Sequence, residues 1–306
     1  MATQGPPAGT LTVWRPTDGP SLERLLAKAP FPAVLDTART DGDPYALCAL
    51  SDGETVAFGL LRALEWDLKL RGSPVGALEA VVAHPDCAAP MESLQAVVDG
   101  LLVEARRRGI AHLRYRTSPL NHVAVRAVEA AGFALADVGT TLEHRASWRA
   151  ECRSRRVLVR QTVESDLPLL REWATTLFGL SWFYHDPFFT REQADAVYAH
   201  WLESAWTDRD TEILVPEISG RPAGFSTCSL LQNGEGDIGL IAVAPEAAGQ
   251  GVGTALLLAV LDWFRPRCER VTVRTQAANY PAIALYQKAG FRIVEADVTL
   301  TKTLDG

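Results

Sequence analysis

Two stretches of this 306-residue chain follow one order of residue types, and that repetition limits the folds open to it. The first runs Ile110 to Ala124, continues through Val128 and ends at Gly132-Phe133. The second runs Val271 to Ala282, continues through Tyr286 and ends at Gly290-Phe291. Each reads as a β-branched strand, a helix led by Asn121 or Asn279, and a Gly-Phe exit. An asparagine in that place can cap the orphan N–H groups of its helix. A glycine there can close the helix in the left-handed conformation. Upstream of each lie a helix pattern (93–108 and 253–265) and a strand (76–83 and 237–243). Downstream lies one more strand (134–143 and 292–302). A supersecondary unit repeated once predicts an α/β chain of two tandem domains, each a mixed central sheet flanked by helices. The length fits two domains of about 150 residues. The boundaries fall at 1–148 and 157–306, with 149–156 as linker.

The second copy opens with the strand at Leu158 and the helix Leu167–Leu177, for which Ser165 and Asp166 are the expected N-cap pair. An aromatic loop, Ser181 to Phe189, comes next. The helix 192–206 and the strands 212–217 and 223–230 complete that half.

The copies part where chemistry could sit. After the apolar run Ile238–Val243 the second copy has Gly249-Gln250-Gly251-Val252-Gly253-Thr254, which leads into a helix. Glycine lets backbone N–H groups approach a ligand closely. The helix start adds unpaired donors and the positive end of a dipole, so this turn suits a phosphate or pyrophosphate. The first copy has Asp86-Cys-Ala-Ala-Pro-Met-Glu92 instead, without glycine, with a proline and with two carboxylates where an anion would need to sit. It also has Val128 where the second has Tyr286. The first copy is therefore expected to be structural.

Composition narrows the class. Hydrophobic residues make up 47% and charged residues 22%, as in ordinary globular proteins. The net charge of −7 gives no general attraction to nucleic acid. The basic islands 106–108 and 153–156 read as a helix end and a linker. Five widely spaced cysteines fit reduced, intracellular usage. No segment is apolar for long enough to span a bilayer, residues 1–9 carry no signal pattern, and the cytoplasm is the expected location. No metal-ligand spacing, nucleophile elbow, Walker lysine or dinucleotide glycine spacing occurs.

The order strand, glycine loop, helix, strand, Asn-led helix with tyrosine, then Gly-Phe resembles the GCN5-related N-acetyltransferases (GNAT), most strongly over 158–302. The segments 162–172, 181–189 and 198–205 are similar to the TDP-fucosamine acetyltransferase branch of that superfamily, whose members also carry a degenerate first unit. One departure is Ala248, where the family's phosphate loop usually begins with Arg or Gln. The resemblance implies acetyl-CoA or another acyl-CoA as co-substrate and no metal. Ile241, Ala242 and Val243 would hold the pantetheine arm as an added strand. The amides from Gly249 to Thr254 would hold the pyrophosphate, with the Gln250 side chain as a further contact. Asn279 would be a coenzyme contact as well as a cap. A backbone N–H on the 241–243 strand would stabilise the oxyanion, and Tyr286 would protonate the leaving thiolate.

The amine must also lose a proton. Glu235, Asp237 and His185 are the candidates, beside a chain of water molecules. Trp182, Tyr184 and His185 are the expected acceptor wall. The acceptor is expected to be a small-molecule amine, an amino sugar or nucleotide-linked amino sugar by resemblance. An amino acid, an antibiotic amine or a protein N-terminus are the alternatives. A non-catalytic coenzyme sensor is the reading from another class. Neither nucleic acid nor membrane is an expected partner, and a homodimer is among the assemblies open to the chain.

Overall fold

The computed structural model describes residues 10–13, 45–51, 54–64, 74–145 and 157–304. The N-terminal tail 1–9, the linker 149–156, Cys152 and the basic island 153–156 lie outside the described residues. Those residues form two compact units, one within Met1–Ala136 together with Asp297–Gly306, the other Asp137–Ala296.

In the first unit the strands β1 (Thr10–Val13), β2 (Tyr45–Ser51), β3 (Glu54–Ala63), β4 (Val75–Ala83) and β5 (His112–Thr117) follow one another in the sheet. The β4–β5 pair is parallel and the pairs before it are antiparallel. Helix α1 (Pro90–Arg107) buries Leu94, Val97, Val98 and Leu101 at a spacing of three and four residues, the stripe that a helix packed on a sheet requires. Helix α2 (His122–Ala130) buries Ala124, Ala127 and Val128.

In the second unit the sheet order is β6, β12, β11, β10, β8, β7, with β9 beside β8. These are β6 (Ala134–Arg145), β7 (Leu158–Gln161), β8 (Thr211–Ile218), β9 (Arg221–Pro222), β10 (Gly224–Leu230), β11 (Gly236–Val243) and β12 (Arg270–Gln276). The helices are α3 (Leu167–Thr176), α4 (Arg191–Thr207), α5 (Val252–Phe264) and α6 (Tyr280–Lys288). One core cluster gathers Leu256, Leu257, Val260 and Phe264 of α5 with Ile238, Val271, Val273, Tyr286 and Phe291.

The compact units are not the two sequence repeats laid end to end. Strand β6 begins in the first unit, and from Asp137 onward it belongs to the second, where Gly139–Arg145 pair antiparallel with β12. Strand β13 (Arg292–Thr303) does the converse, and Val298–Thr303 pair with β5. Each unit thus ends on a strand that comes after the Gly-Phe of the other copy. An arginine at the same place in each copy fastens that strand: Arg116 to Asp297 at 3.5 Å in the first unit, and Arg274, reaching two residues further along its strand, to Asp137 at 3.1 Å in the second. Gly139 leaves room for that Arg274 side chain, since a Cβ there would collide with the guanidinium.

The Gly-Phe exits are Schellman closures. Gly132 and Gly290 stand at φ +86° and +95°. Phe133 N–H bonds Val128 C=O and Phe291 N–H bonds Tyr286 C=O, both at 3.0 Å. The motif brings the residue after the glycine against the third from the helix end, and the Phe291 and Tyr286 rings lie 5.6 Å apart.

Two capping expectations are corrected. Asn279 Oδ1 accepts from Ala282 N–H at 3.4 Å, but Asn121 makes no side-chain cap, because its amide is engaged elsewhere. Asp166 stands at the N-cap of α3 as expected, but its side chain makes no cap bond there. Its carboxylate turns back to Val163 N–H at 2.9 Å and takes Arg160 at 2.6 and 3.0 Å. That guanidinium holds the Asp166 carboxyl below its usual range.

Candidate functional site: an opened strand pair beside a glycine turn

Strands β11 and β12 run parallel and pair only over Gly236–Ile238 and Val271–Val273. Beyond Ile238 they separate. The cause lies on the other side of β11. Its register with β10 passes from Ser226↔Ile241 to Cys228↔Ile238, so β11 holds one extra residue. The Leu240 N–H then bonds the Thr227 hydroxyl at 2.8 Å in place of a ladder carbonyl. Such a bulge bends its strand and re-aims the residues beyond it. Bonding resumes at the end of β11, where Ala244 N–H meets Ala223 C=O at 3.0 Å. Antiparallel bonding alternates, so the backbone groups of Ile241 and Val243 face away from β10, into the opening.

The glycine turn stands at the head of this opening. Gly249 and Gly251 adopt φ +75° and +80°, a conformation that costs an L side chain about 1–2 kcal/mol. The first intrahelical bond of α5 is Ala255 N–H to Gly251 C=O. The N–H groups of Val252, Gly253 and Thr254 stand ahead of it at the positive end of the helix. A Cβ on Gly253 would lie 3.3 Å from Leu285 Cδ2 and 3.5 Å from Val243 Cγ2. Turn, strand end and the residue before Tyr286 therefore meet at one point. The Gln250 side chain is bonded to Glu246 C=O at 2.8 Å, within its own turn.

Tyr286 is 2% exposed, and Ile241 packs against the cluster that contains it. Burial pushes its hydroxyl above the usual tyrosine range, so it keeps its proton at neutral pH. The ring is held by α6, by the Schellman closure and by Phe291. Asn279 Nδ2 bonds Thr275 Oγ1 at 3.0 Å, which fixes the start of α6 against β12.

The three candidate bases differ. Glu235 is paired with Arg270 at 2.7 Å, and that cation also holds Glu143 at 2.6 Å. Asp237 lies two residues on, inside β11, and has Thr272 Oγ1 at 3.4 Å. Burial raises its carboxyl above the ordinary aspartate value. Beside it, Gly239 occupies the bulge. A Cβ at that position would lie 3.0 Å from Thr227 Oγ1 and 3.9 Å from Asp237 Oδ2. His185 donates its Nε2–H to Gly179 C=O at 2.9 Å.

The aromatic loop is largely core. Trp182, Phe183 and Phe189 are buried, and the first two stack with ring centres 4.1 Å apart. Tyr198 and Trp201 of α4 continue the cluster. The Tyr184 hydroxyl lies 2.9 Å from Asp195 Oδ1 and 3.2 Å from Thr175 C=O, and Arg191 covers its ring at 5.3 Å. The polar tips of Tyr184 and His185 thus each have a partner within the chain.

Sequence reasoning missed Gly239 and Thr227. A glycine inside the run Ile238-Gly-Leu-Ile241 is the kind of signal that marks a bulge or a close approach.

Residues 170–291 match the acetyltransferase (GNAT) family. Among curated relatives, the mycothiol acetyltransferase of Clavibacter sepedonicus is 37% identical over 98 residues, which is 32% of each chain. That of Saccharomonospora viridis is 36% identical over 121 residues, 39% of this chain and 34% of its own. The match spans about a third of the length of these relatives. They give no support to the TDP-fucosamine branch. Among solved structures, a GCN5-related N-acetyltransferase from Sphaerobacter thermophilus superposes with a TM-score of 0.66 at 18% identity, over 97% of this chain and 96% of its own. A tandem GNAT protein from the clavulanic acid biosynthesis pathway does so with 0.58 at 15% identity, over 97% and 99%. The chain has the fold of tandem GNAT proteins. No described helix is long and apolar enough to cross a membrane, and no described group of three or more His, Cys, Asp or Glu could hold a metal.

Proposed function

We propose that the second unit transfers an acetyl group from acetyl-CoA to a primary amine of a small molecule, by direct attack while both are bound. The observation that carries this reading is the opening between β11 and β12, with the backbone of Ile241 and Val243 turned into it beside the glycine turn. A pantetheine arm carries amide groups that can bond such a strand edge as an added strand would. The amides of 249–254 suit its diphosphate. Ala248 removes a side chain that such turns often use, while the main-chain donors remain.

Asp237 is the base we assign for the amine. Burial and the absence of a cationic partner among its described contacts raise its affinity for a proton. An alkylammonium titrates near pKa 8 or above, so it needs an acceptor of that kind, directly or through one water. A backbone N–H on the 241–243 strand would stabilise the charge that develops on the thioester oxygen. Tyr286, held neutral by burial, would return a proton to the thiolate. Trp182 supports the acceptor wall from within the core, and Tyr184 and His185 remain its candidate contacts.

The named relatives make the amine acceptor of mycothiol acetyltransferases the first acceptor to try. An amino sugar or nucleotide-linked amino sugar is the finer reading that the aromatic segment suggests. Thiol release from acetyl-CoA, measured against that acceptor, amino sugars, nucleotide-linked amino sugars, amino acids and polyamines, tests the proposal. Turnover with one class supports it. Coenzyme binding without acceptor-dependent thiol release from any amine would favour the sensor reading instead.

A further inference from the structure

The first unit repeats the opened groove of the second and fills it with its own side chains. Its strands β4 and β5 also run parallel and pair only over Val75–Leu78 and His112–Tyr115. Strand β4 also carries one extra residue against β3, between Leu78 and Ala80. His84 N–H bonds Val56 C=O at 2.8 Å, as Ala244 bonds Ala223 in the second unit. Val81 therefore holds the place of Ile241, three residues before that bond.

What differs is the fate of the carbonyl. Val81 C=O accepts from the Tyr115 hydroxyl and from Asn121 Nδ2, both at 3.3 Å. The same amide reaches the Tyr115 oxygen at 3.4 Å and Thr117 Oγ1 at 3.3 Å. Tyr115 is 2% exposed. The register pairs Leu78 with Tyr115 and Ile238 with Val273, so Val273 holds the equivalent place in the second unit. Valine offers no hydrogen bond, and Asn279 is turned to cap its helix. At the bulge, Glu79 bonds Arg62 at 2.8 Å where the second unit has only Gly239. At the turn, Pro90 opens α1 without an N–H, and Glu92 lies in its first turn.

We propose that Tyr115 and Asn121 form an internal lock that occupies in the first unit the strand edge a pantetheine arm takes in the second, so that each chain takes up one coenzyme molecule. This rests on the coenzyme reading of the second unit. The lock satisfies a carbonyl that strand addition would need, and the buried Tyr115 would have to move to release it.

Calorimetric titration of the full chain with acetyl-CoA tests it. One equivalent is expected for the unaltered chain, and for Gly251→Val no more than one, bound at least tenfold more weakly, since the first unit has no capacity of its own. Val273→Tyr, which moves the locking hydroxyl into the second groove, is expected to weaken uptake at least tenfold in a chain that still folds by circular dichroism. Two equivalents, or an equivalent of undiminished affinity in Gly251→Val, would overturn the lock while leaving the second site in place. That arm holds even where Val273→Tyr does not fold. Unchanged affinity in a folded Val273→Tyr chain would equally overturn it. No uptake by the unaltered chain would remove the coenzyme reading and the lock together.

Discussion

Two side chains in the second unit carry the proposed chemistry, and burial sets the proton affinity of both. Tyr286 is a general acid only if it stays protonated, which its buried place in the α6 core secures. Tyr286→Phe keeps the packing against Phe291 and loses the proton. We expect kcat to fall by about 10²-fold or more with acetyl-CoA affinity unchanged, read by steady-state kinetics beside calorimetry. Equal losses in both would make it a packing residue. Asp237 works in the opposite sense. Its carboxyl is raised by burial, so it is a base above that raised value and becomes inactive as pH falls through it. The acid limb of kcat/KM should therefore lie above the ordinary aspartate range. Asp237→Asn should lower the rate and abolish that limb, whereas Glu235→Gln should leave its position unmoved, because Arg270 already neutralises Glu235. A limb that survives in Asp237→Asn would exclude Asp237 as its origin.

At the scale of single elements, the glycine turn and the end of α1 make separable claims. Gly251 stands at φ +80° as the residue before α5. Valine there is strained and brings a side chain toward the anion site. Acetyl-CoA binding should weaken at least tenfold with the fold intact by circular dichroism. At the end of α1, Glu104 is 6% exposed and takes Arg107 and Arg108 at 2.6–2.7 Å. The Arg107 hydrogen bond, with Arg108 and the charge of both, lowers its pKa to about 2. A depressed carboxylate contributes stability above its unfolded value of 4.5, and loses it as pH falls toward about 2. Glu104→Gln should thus melt lower than the unaltered chain at neutral pH. The difference should shrink through that window in thermal scans, and a difference constant with pH would contradict the ion-pair account.

Local signals made the elements legible and long-range pairing hid the rest. The Gly-Phe exits, the Asn279 cap and the glycine turn each depend on a few neighbouring residues, so their types announced them. The opening between β11 and β12 depends on one extra residue in β11 against β10, which only the pairing register reveals. Asn121 carries the same local pattern as Asn279. Its amide was drawn from the helix to Val81 by a tyrosine six residues earlier, a contact that no capping rule contains. Asp166 likewise turned to Arg160 rather than to its own helix.

For the molecule as a whole, the repeat gives two units of one plan, and the proposed coenzyme site falls in the second. The last strand of each copy belongs to the other copy's unit, and the Arg116–Asp297 and Arg274–Asp137 pairs fasten both strands alike. That exchange explains why the repeat boundaries in the sequence and the compact units differ: side-by-side pairing, not chain order, decides which core a strand joins. The two arginines belong to the shared plan. The differences at Tyr115, Glu79, Pro90 and Val128 fall on the groove alone.

The central claim is that the second unit's opened strand edge and glycine turn hold the coenzyme. Amide hydrogen exchange of the full chain, with and without saturating acetyl-CoA, tests it most directly. Exchange should slow in segments covering 241–243 and 249–254, and remain unchanged in 79–92. Protection of 79–92 instead, or no protection at 241–243 and 249–254 with coenzyme bound, would contradict the account.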